Sequence, residues 1–347
     1  MKTKRPTPHK LPSGRWNVQI RVGGKRISVT DDDRDVCQAK AMAIQAGVIE
    51  KEEKQKAITL ESAINEYIKS KSNTLSPSTI RGYEFIKKKR FRGIMKRDIY
   101  KLTKQDIQVA VNQEVKDVSP KTIANAYGLI RPVLKDYGID VFGVKLPQKQ
   151  PKPKSYIQPE EIEKLLQTAR EDKYEVAILF AIWLGLRRSE ICGMCWDCID
   201  FERKTITVKR TLLMNKDGEC VLEDRTKTAK SNRTLPCPDY ILDRLSAMQN
   251  GRTEGRIFTF HPNTLVHHIH KVCATAGITD TTVHGLRHTN AAVMRYLGVS
   301  DAYAMERGGW TEERTYKNIY SYVFDSTANK EGQIIDDFFG SKTQNVR

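Results

Sequence analysis

The sequence predicts an α+β, multidomain protein: a small three-stranded β-ribbon plus helix, then a helical bundle, then a mainly helical domain with a small antiparallel sheet. Three observations predict it. Strict alternation of apolar and polar side chains opens the chain, helix-start signals recur at short intervals between residues 59 and 137, and a Pro- and Lys-rich tract separates both from an apolar-rich remainder. At 347 residues and 39% apolar content, the chain can build more than one core.

In GRWNVQIRVGGKRISVT, Trp16, Val18, Ile20 and Val22 fall on one face, with Arg15, Asn17, Gln19 and Arg21 on the other. Gly23-Gly24 closes a hairpin, and the return strand adds Ile27 and Val29 to the apolar face and Arg26, Ser28 and Thr30 to the polar one. An Ala-rich helix from about Arg34 to Lys56 is expected to cover the apolar face and run on as a linker. The bundle follows. Thr59 caps LESAINEYIKSK, Ser76-Pro77 and Ser119-Pro120 pair a cap with a first-turn proline, and Thr103 with Asp106 resembles a capping box. Pro132 is expected to kink the last helix or end it early.

PQKQPKPKSYIQPEE, Pro147 to Glu161, cannot propagate helix or sheet and reads as a linker. Beyond it Pro159 opens EEIEKLLQTAR, and EVAILFAIWLGL is apolar nearly all round, hence buried. KTITVKRTLL and the region around CVLEDRTKTAKSNRTLP read as strands and turns, with Asp217-Gly218 as a hairpin signal. The predicted division is 1–57, 58–146, a basic linker at 147–158, and 159–347.

The formal charge of +17 is unevenly spread. Residues 1–57 carry 13 Lys+Arg against 7 Asp+Glu, residues 58–155 carry 20 against 9, and residues 156–347 carry 26 against 26. All of the excess lies in the first 155 residues, which is the footprint of N-terminal modules that grip a polyanion, with nucleic acid the leading partner. Arg15, Asn17, Gln19, Arg21 and Arg26 are of the types that read base edges, and Lys87, Lys88, Lys89, Arg90 and Arg92 form a phosphate-binding cluster at a helix end. No apolar run reaches the length of a membrane span, and seven cysteines in apolar or strand-like contexts argue for reduced thiols; a cytosolic protein without membrane contact is expected.

Chemistry concentrates in the last half. HGLRHT places His284 and Arg287 at i and i+3 on one helical face, with Trp310 in ERGGW and then Tyr320 further on. Upstream, LGLRRSEICGM puts Arg187 after a buried helix with Glu190 one turn on, either as a simple ion pair or as one of two guanidinium forks around a phosphate. His288, one residue past Arg287, is expected to point away from the His284 face and to be structural. CGMCWDC (Cys192, Cys195, Cys198) and HHIH (His267, His268, His270) invite a metal reading. No second pair lies at a fitting distance, so core packing is expected and no metal. The phosphate loop GxxxxGK[ST] is absent, so no nucleotide cofactor is expected.

GLRRSEI, the turn lysine of TKTAKSNRTLP, HGLRHT, GGW and a tyrosine near the C-terminus, in that order, resemble the tyrosine recombinase (phage integrase) family over residues 156–325. The bundle resembles that family's core-binding domain, and the ribbon resembles the arm-binding domain of integrases from phages and conjugative transposons. The resemblance implies a site-specific recombinase that cuts and rejoins duplex DNA through a 3′-phosphotyrosyl intermediate. Tyr320 would be the nucleophile, ahead of Tyr316 and Tyr322; Arg187 and Arg287 would clamp the phosphate; and Lys227, ahead of Lys230 on the same turn, would protonate the leaving 5′ oxygen. His284 would act as base or phosphate donor, Glu190 would support, and Trp310 stands where the family often has His, able to pack and to donate one hydrogen bond but not to shuttle a proton. Also implied are core and arm attachment sites in double-stranded DNA, a homo-tetramer on paired sites, and a nucleoid-associated location in the cytoplasm of a bacterial host. An excisionase and a host DNA-bending protein are candidate accessory partners. The apolar tail QIIDDFF, with Ile334, Ile335, Phe338 and Phe339, would dock on a neighbouring protomer. Two rival readings are a topoisomerase-like nicking-closing enzyme and a non-catalytic DNA-binding regulator on the same scaffold.

Overall fold

The computed structural model describes residues 5–22, 24–46, 57–141, 143–148, 157–224, 232–320 and 336, with side chains up to residue 317 in the last long stretch. Two compact units are present, one of residues 1–60 and 97–102, the other of residues 61–96 and 103–347.

In the first unit, β1 (His9–Lys10), β2 (Trp16–Val22) and β3 (Lys25–Asp31) form an antiparallel sheet in that order. Val22 faces Lys25 across the hairpin, and Gly24 has φ +80°, the left-handed conformation that a two-residue hairpin loop demands. Helix α1 (Arg34–Gln45) is capped by Asp33, whose side chain accepts from the amides of Asp35 and Val36. Its Cys37, Ala41 and Ile44, spaced at i, i+4 and i+7, cover Val18, Ile20 and Val29. The helix is described as far as Gln45, so its expected linker portion lies outside the described residues.

Helices α2 (Leu60–Ser70), α3 (Pro77–Lys89), α4 (Arg92–Met95), α5 (Lys104–Glu114) and α6 (Pro120–Asp136) follow. The sequence signals sit where they act: Ser76 and Ser119 cap with proline in the first turn, and Thr103 with Asp106 makes a complete capping box. Pro132 neither ends nor shortens α6, which continues to Asp136. Ile130, Val133 and Leu134 on either side of it are fully buried, and this packing outweighs the single backbone bond that the proline forfeits.

The remainder contains α7 (Pro159–Ala169), α8 (Glu175–Ile182), α9 (Arg188–Cys192), β4 (Ile199–Asp200), β5 (Thr205–Val208), β6 (Arg210–Met214), β7 (Cys220–Asp224), β8 (Arg233–Pro236), α10 (Asp239–Gln249), α11 (Pro262–Ala276), α12 (Val283–Tyr296), α13 (Asp301–Gly308) and α14 (Glu313–Tyr320). Every residue of α8 is buried, which makes it the central helix of the main core. The single expected sheet is two: β4-β5-β8, and the hairpin β6-β7. Only Lys209 separates β5 from β6, so the chain leaves the first sheet abruptly. Its hairpin turns at Asn215 to Glu219, where the Asn215 side chain accepts from the amides of Asp217 and Glu219 and Gly218 has φ +86°.

Candidate active site

The site begins where α8 stops. The side chain of Asn290, on α12, donates to the carbonyls of Ile182 and Trp183, and Gly185 follows with φ +66°. A Cβ at Gly185 would lie 2.7 Å from Asn290 Oδ1, so only glycine lets the chain turn there. LGLRRSEI is thus the break between two helices rather than the end of one, and Arg187 stands at the N-cap of α9. Glu190, three residues on, has no exposed side-chain surface and accepts from the Arg187 amide at 2.9 Å and from Arg187 Nη1 at 2.7 Å. Arg187 Nη2 donates to the Gly309 carbonyl at 2.7 Å, while 30% of its side chain stays exposed.

The second arginine arrives from α12, whose first turn is capped by Thr282. Arg287 is 1% exposed; its Nη1 donates to the Gly185 carbonyl at 2.5 Å, and its guanidinium carbon sits 4.1 Å from the Trp310 ring centroid. A cation over an indole in a buried place is worth about 2 kcal/mol. Trp310 reaches it through Gly308-Gly309, the end of α13. Gly309 has φ +68°, and a Cβ on Gly308 would lie 1.8 Å from Trp310 Cζ3. Arg187 and Arg287, 100 residues apart, therefore converge on one turn, the first through the Gly309 carbonyl and the second through the Trp310 ring.

His284 is exposed on the first turn of α12, three residues before Arg287. Its ring lies 4.6 Å from that of His288, which corrects the expectation that His288 points elsewhere. The two are four residues apart and share a helical face, a spacing that a comparison with Arg287 alone conceals. Trp310 packs on Tyr316 of α14 at 5.1 Å, and Tyr316 is fully buried. Tyr320 is the last residue of α14. Lys227, Lys230, Tyr322 and the tail residues Ile334, Ile335, Phe338 and Phe339 lie outside the described residues.

Among the other candidates, Gln19, Arg21 and Arg26 are exposed, and the register sets Arg21 directly opposite Arg26. Arg15 pairs with Asp32 at 2.7 Å. Asn17 is 7% exposed and its amide donates to Ser28, Thr30 and the Val29 carbonyl, because the central strand holds it between His9 of β1 and Thr30 of β3. Lys88, Lys89 and Arg92 are exposed, whereas Lys87 bonds to Asn65 and Glu84 and Arg90 pairs with Glu114. Cys192, Cys195 and Cys198 are buried, and burial pushes the Cys192 thiol up to about 11. His268 and His270 pair with Asp172 and Asp280 at 2.7 and 2.5 Å, and His267 is exposed.

One residue of the site is not evident from the sequence. Arg233, the first residue of β8, is nearly buried and donates to Glu190 through Nη2 at 2.9 Å and Nη1 at 3.4 Å, and to the Arg307 carbonyl through Nε at 2.9 Å. The available signal is two-residue alternation, which puts Arg233 on the same inward face as Leu235.

Residues 155–326 match the phage integrase family. The XerC-like tyrosine recombinase of Caldanaerobacter subterraneus is 26% identical over 52% of this chain and 53% of its own length. The integrase of Salmonella phage P22 is 25% identical, over 58% and 52%. The chain spans about half the length of the curated relatives it matches. Among solved structures, the Tn1549 transposon integrase in complex with transposon right end DNA aligns with a TM-score of 0.65 at 18% identity, over 80% of this chain and 99% of that one. A lambda integrase dimer bound to a COC′ core site gives 0.57 at 17% identity, over 91% and 94%. The fold is that of transposon and phage integrases, α+β and multidomain. The domain at residues 155–326 is that of the tyrosine recombinase (phage integrase) family.

Proposed function

We propose that this chain is a site-specific DNA recombinase that integrates and excises a mobile element by cleaving and rejoining duplex strands. The observation that carries the reading is the meeting of Arg187 and Arg287, from separate elements, at the turn that holds Trp310. Two guanidinium groups can neutralise the non-bridging oxygens of one phosphodiester, the charge that grows as a nucleophile adds. The Tyr320 phenolic oxygen would attack phosphorus; the bond to the 5′ oxygen breaks as Lys227 supplies its proton, leaving a 3′-phosphotyrosine and a free 5′ hydroxyl. A 5′ hydroxyl from the partner strand reverses the step, so ester bond energy is retained and no nucleotide is consumed. His284, exposed one turn before Arg287 on α12, would donate to the phosphate or move a proton, and Glu190 anchors Arg187.

The same reading assigns residues 1–57 to arm-type DNA, residues 58–146 to core DNA, 147–158 to a basic linker and 159–347 to catalysis. Arg21 opposite Arg26 supports the first, since like charges face to face on a sheet are unfavourable until an anion lies between them. Lys88, Lys89 and Arg92 are exposed for phosphate contacts. A homo-tetramer is proposed by likeness to a lambda integrase tetramer bound to a Holliday junction, with TM-score 0.55 at 16% identity. An excisionase, a bending protein and association with the nucleoid belong to this proposal. Among the described residues no helix is long and apolar enough to cross a membrane.

The test is incubation with a nicked suicide DNA site and separation of covalent protein–DNA adducts. Wild type is expected to form adduct and Tyr320→Phe none. Adduct persisting in the variant would move the nucleophile elsewhere, and its absence from wild type on an authentic site would favour the regulator.

A further inference from the structure

Glu190 is wholly buried between two arginines. Arg187 uses two of its donors on the protein among the described residues, Nη1 on Glu190 and Nη2 on the Gly309 carbonyl, and keeps an exposed edge. Arg233 has no comparable exposure. All three of its guanidinium nitrogens are used inside the protein, two on Glu190 and one on the Arg307 carbonyl. It thereby ties β8, α9 and the end of α13 together. Gly309 is closed in by the same group, since a Cβ there would lie 2.9 Å from Arg233 Nη1 and 3.4 Å from Arg187 Nη1.

We infer that Arg233 is a positioning residue for the cleavage step: it neutralises Glu190 so that Arg187 presents a net positive charge, in fixed geometry, to the scissile phosphate. This rests on the recombinase reading. One carboxylate flanked by two guanidinium groups leaves one positive charge, and the exposed edge of Arg187 is where that charge meets solvent or ligand. Without Arg233, Arg187 alone remains of the two guanidinium groups that flank the buried carboxylate, that pair sums to zero, and Arg187 is drawn toward Glu190 and away from the Gly309 carbonyl. The loss is in attraction for developing phosphate charge. Ground-state DNA binding, spread over many other cations, changes little.

The experiment measures duplex affinity by gel shift and single-turnover cleavage of a nicked suicide site for wild type, Arg233→Met, Arg233→Lys, Glu190→Gln and the double variant Glu190→Gln with Arg233→Met. Arg233→Met is expected to keep Kd within about twofold and to slow cleavage about 100-fold, the scale of removing one charge interaction from the transition state. Arg233→Lys should fall between, keeping the charge but not the three-point fork. The double variant restores the net charge of the cluster and should cleave at least about tenfold faster than Arg233→Met, a rescue that a merely structural arginine would not give. Cleavage by Arg233→Met at the wild-type rate, or a double variant no faster than Arg233→Met, overturns the inference. If wild type itself cleaves no authentic site, the recombinase reading fails. The Arg233→Met crystal structure then decides, with Arg187 unmoved on the Gly309 carbonyl refuting the positioning role.

Discussion

Replacing Gly308 by Ala adds one methyl group at the point of least tolerance in the site. The new Cβ would lie 1.8, 2.2 and 2.6 Å from three atoms of the Trp310 indole, against the 3.4–4 Å of ordinary van der Waals separation, so the ring must withdraw by roughly 1.6 Å or leave its slot. Gly308 is helical and carries no left-handed strain, so the effect is steric alone. Overpacking a buried site costs about 1–3 kcal/mol, and separating Trp310 from Arg287 adds about 1–2 kcal/mol as the cation–π attraction disappears. The sum, about 2–5 kcal/mol, should be local to α12, α13 and α14, where Ala291, Met294, Ala304, Trp310 and Tyr316 form their own cluster. Native-state hydrogen exchange is the suitable assay, because a chain of more than one unit need not unfold in one step. Amides of residues 291–317 are expected to lose about that much protection free energy while α8 keeps its own. Protection within about 0.5 kcal/mol of wild type in Gly308→Ala would refute the close packing of Trp310 on Gly308.

Other outcomes follow from the same geometry. Glu190→Ala should destabilise the second unit by about 3–5 kcal/mol by chemical denaturation, since it strands buried Arg233, whereas Glu190→Gln should cost clearly less. The Arg210 hydrogen bond, with help from Lys209, holds the Asp197 carboxyl down at about 2, below its unfolded value of about 3.9. A depressed carboxylate stabilises above its unfolded pKa and loses this as pH falls, so Asp197→Asn should flatten the acid side of the stability profile between about pH 4 and 2, modestly because Asp197 is partly exposed. An unchanged acid slope would contradict that. Lys88→Ala with Lys89→Ala should lower the slope of log affinity against log salt by about 0.9 for each phosphate no longer neutralised, whatever the DNA sequence.

What is legible in the sequence is local in origin. Ser76, Thr103 and Ser119 announce helices because a cap bonds two or three residues away, and Asp217-Gly218 announces its hairpin for the same reason. Burial all round α8 can be read from composition alone. Misreadings arise where a distant partner decides. Pro132 stays helical because Ile130, Val133 and Leu134 are packed, and Asn17 is covered although it stays on the polar face, because the strands on either side enclose it and Ser28 and Thr30 accept from its amide. Arg233 looks like one more basic residue until Glu190, 43 positions away, is brought against it by the fold. The break at Gly185 is similar, since its need for glycine comes from Asn290 of α12.

The covalent bond proposed between Tyr320 and the 3′ phosphate of a cleaved strand can be mapped chemically. Adduct trapped on a nicked site would be digested with trypsin and nuclease, and the nucleotide-bearing peptide sequenced by mass spectrometry. The modification is expected on Tyr320, joined to a 3′ phosphate, with a free 5′ hydroxyl on the released strand. A modification on any other residue, or a 5′ phosphate linkage, would contradict it.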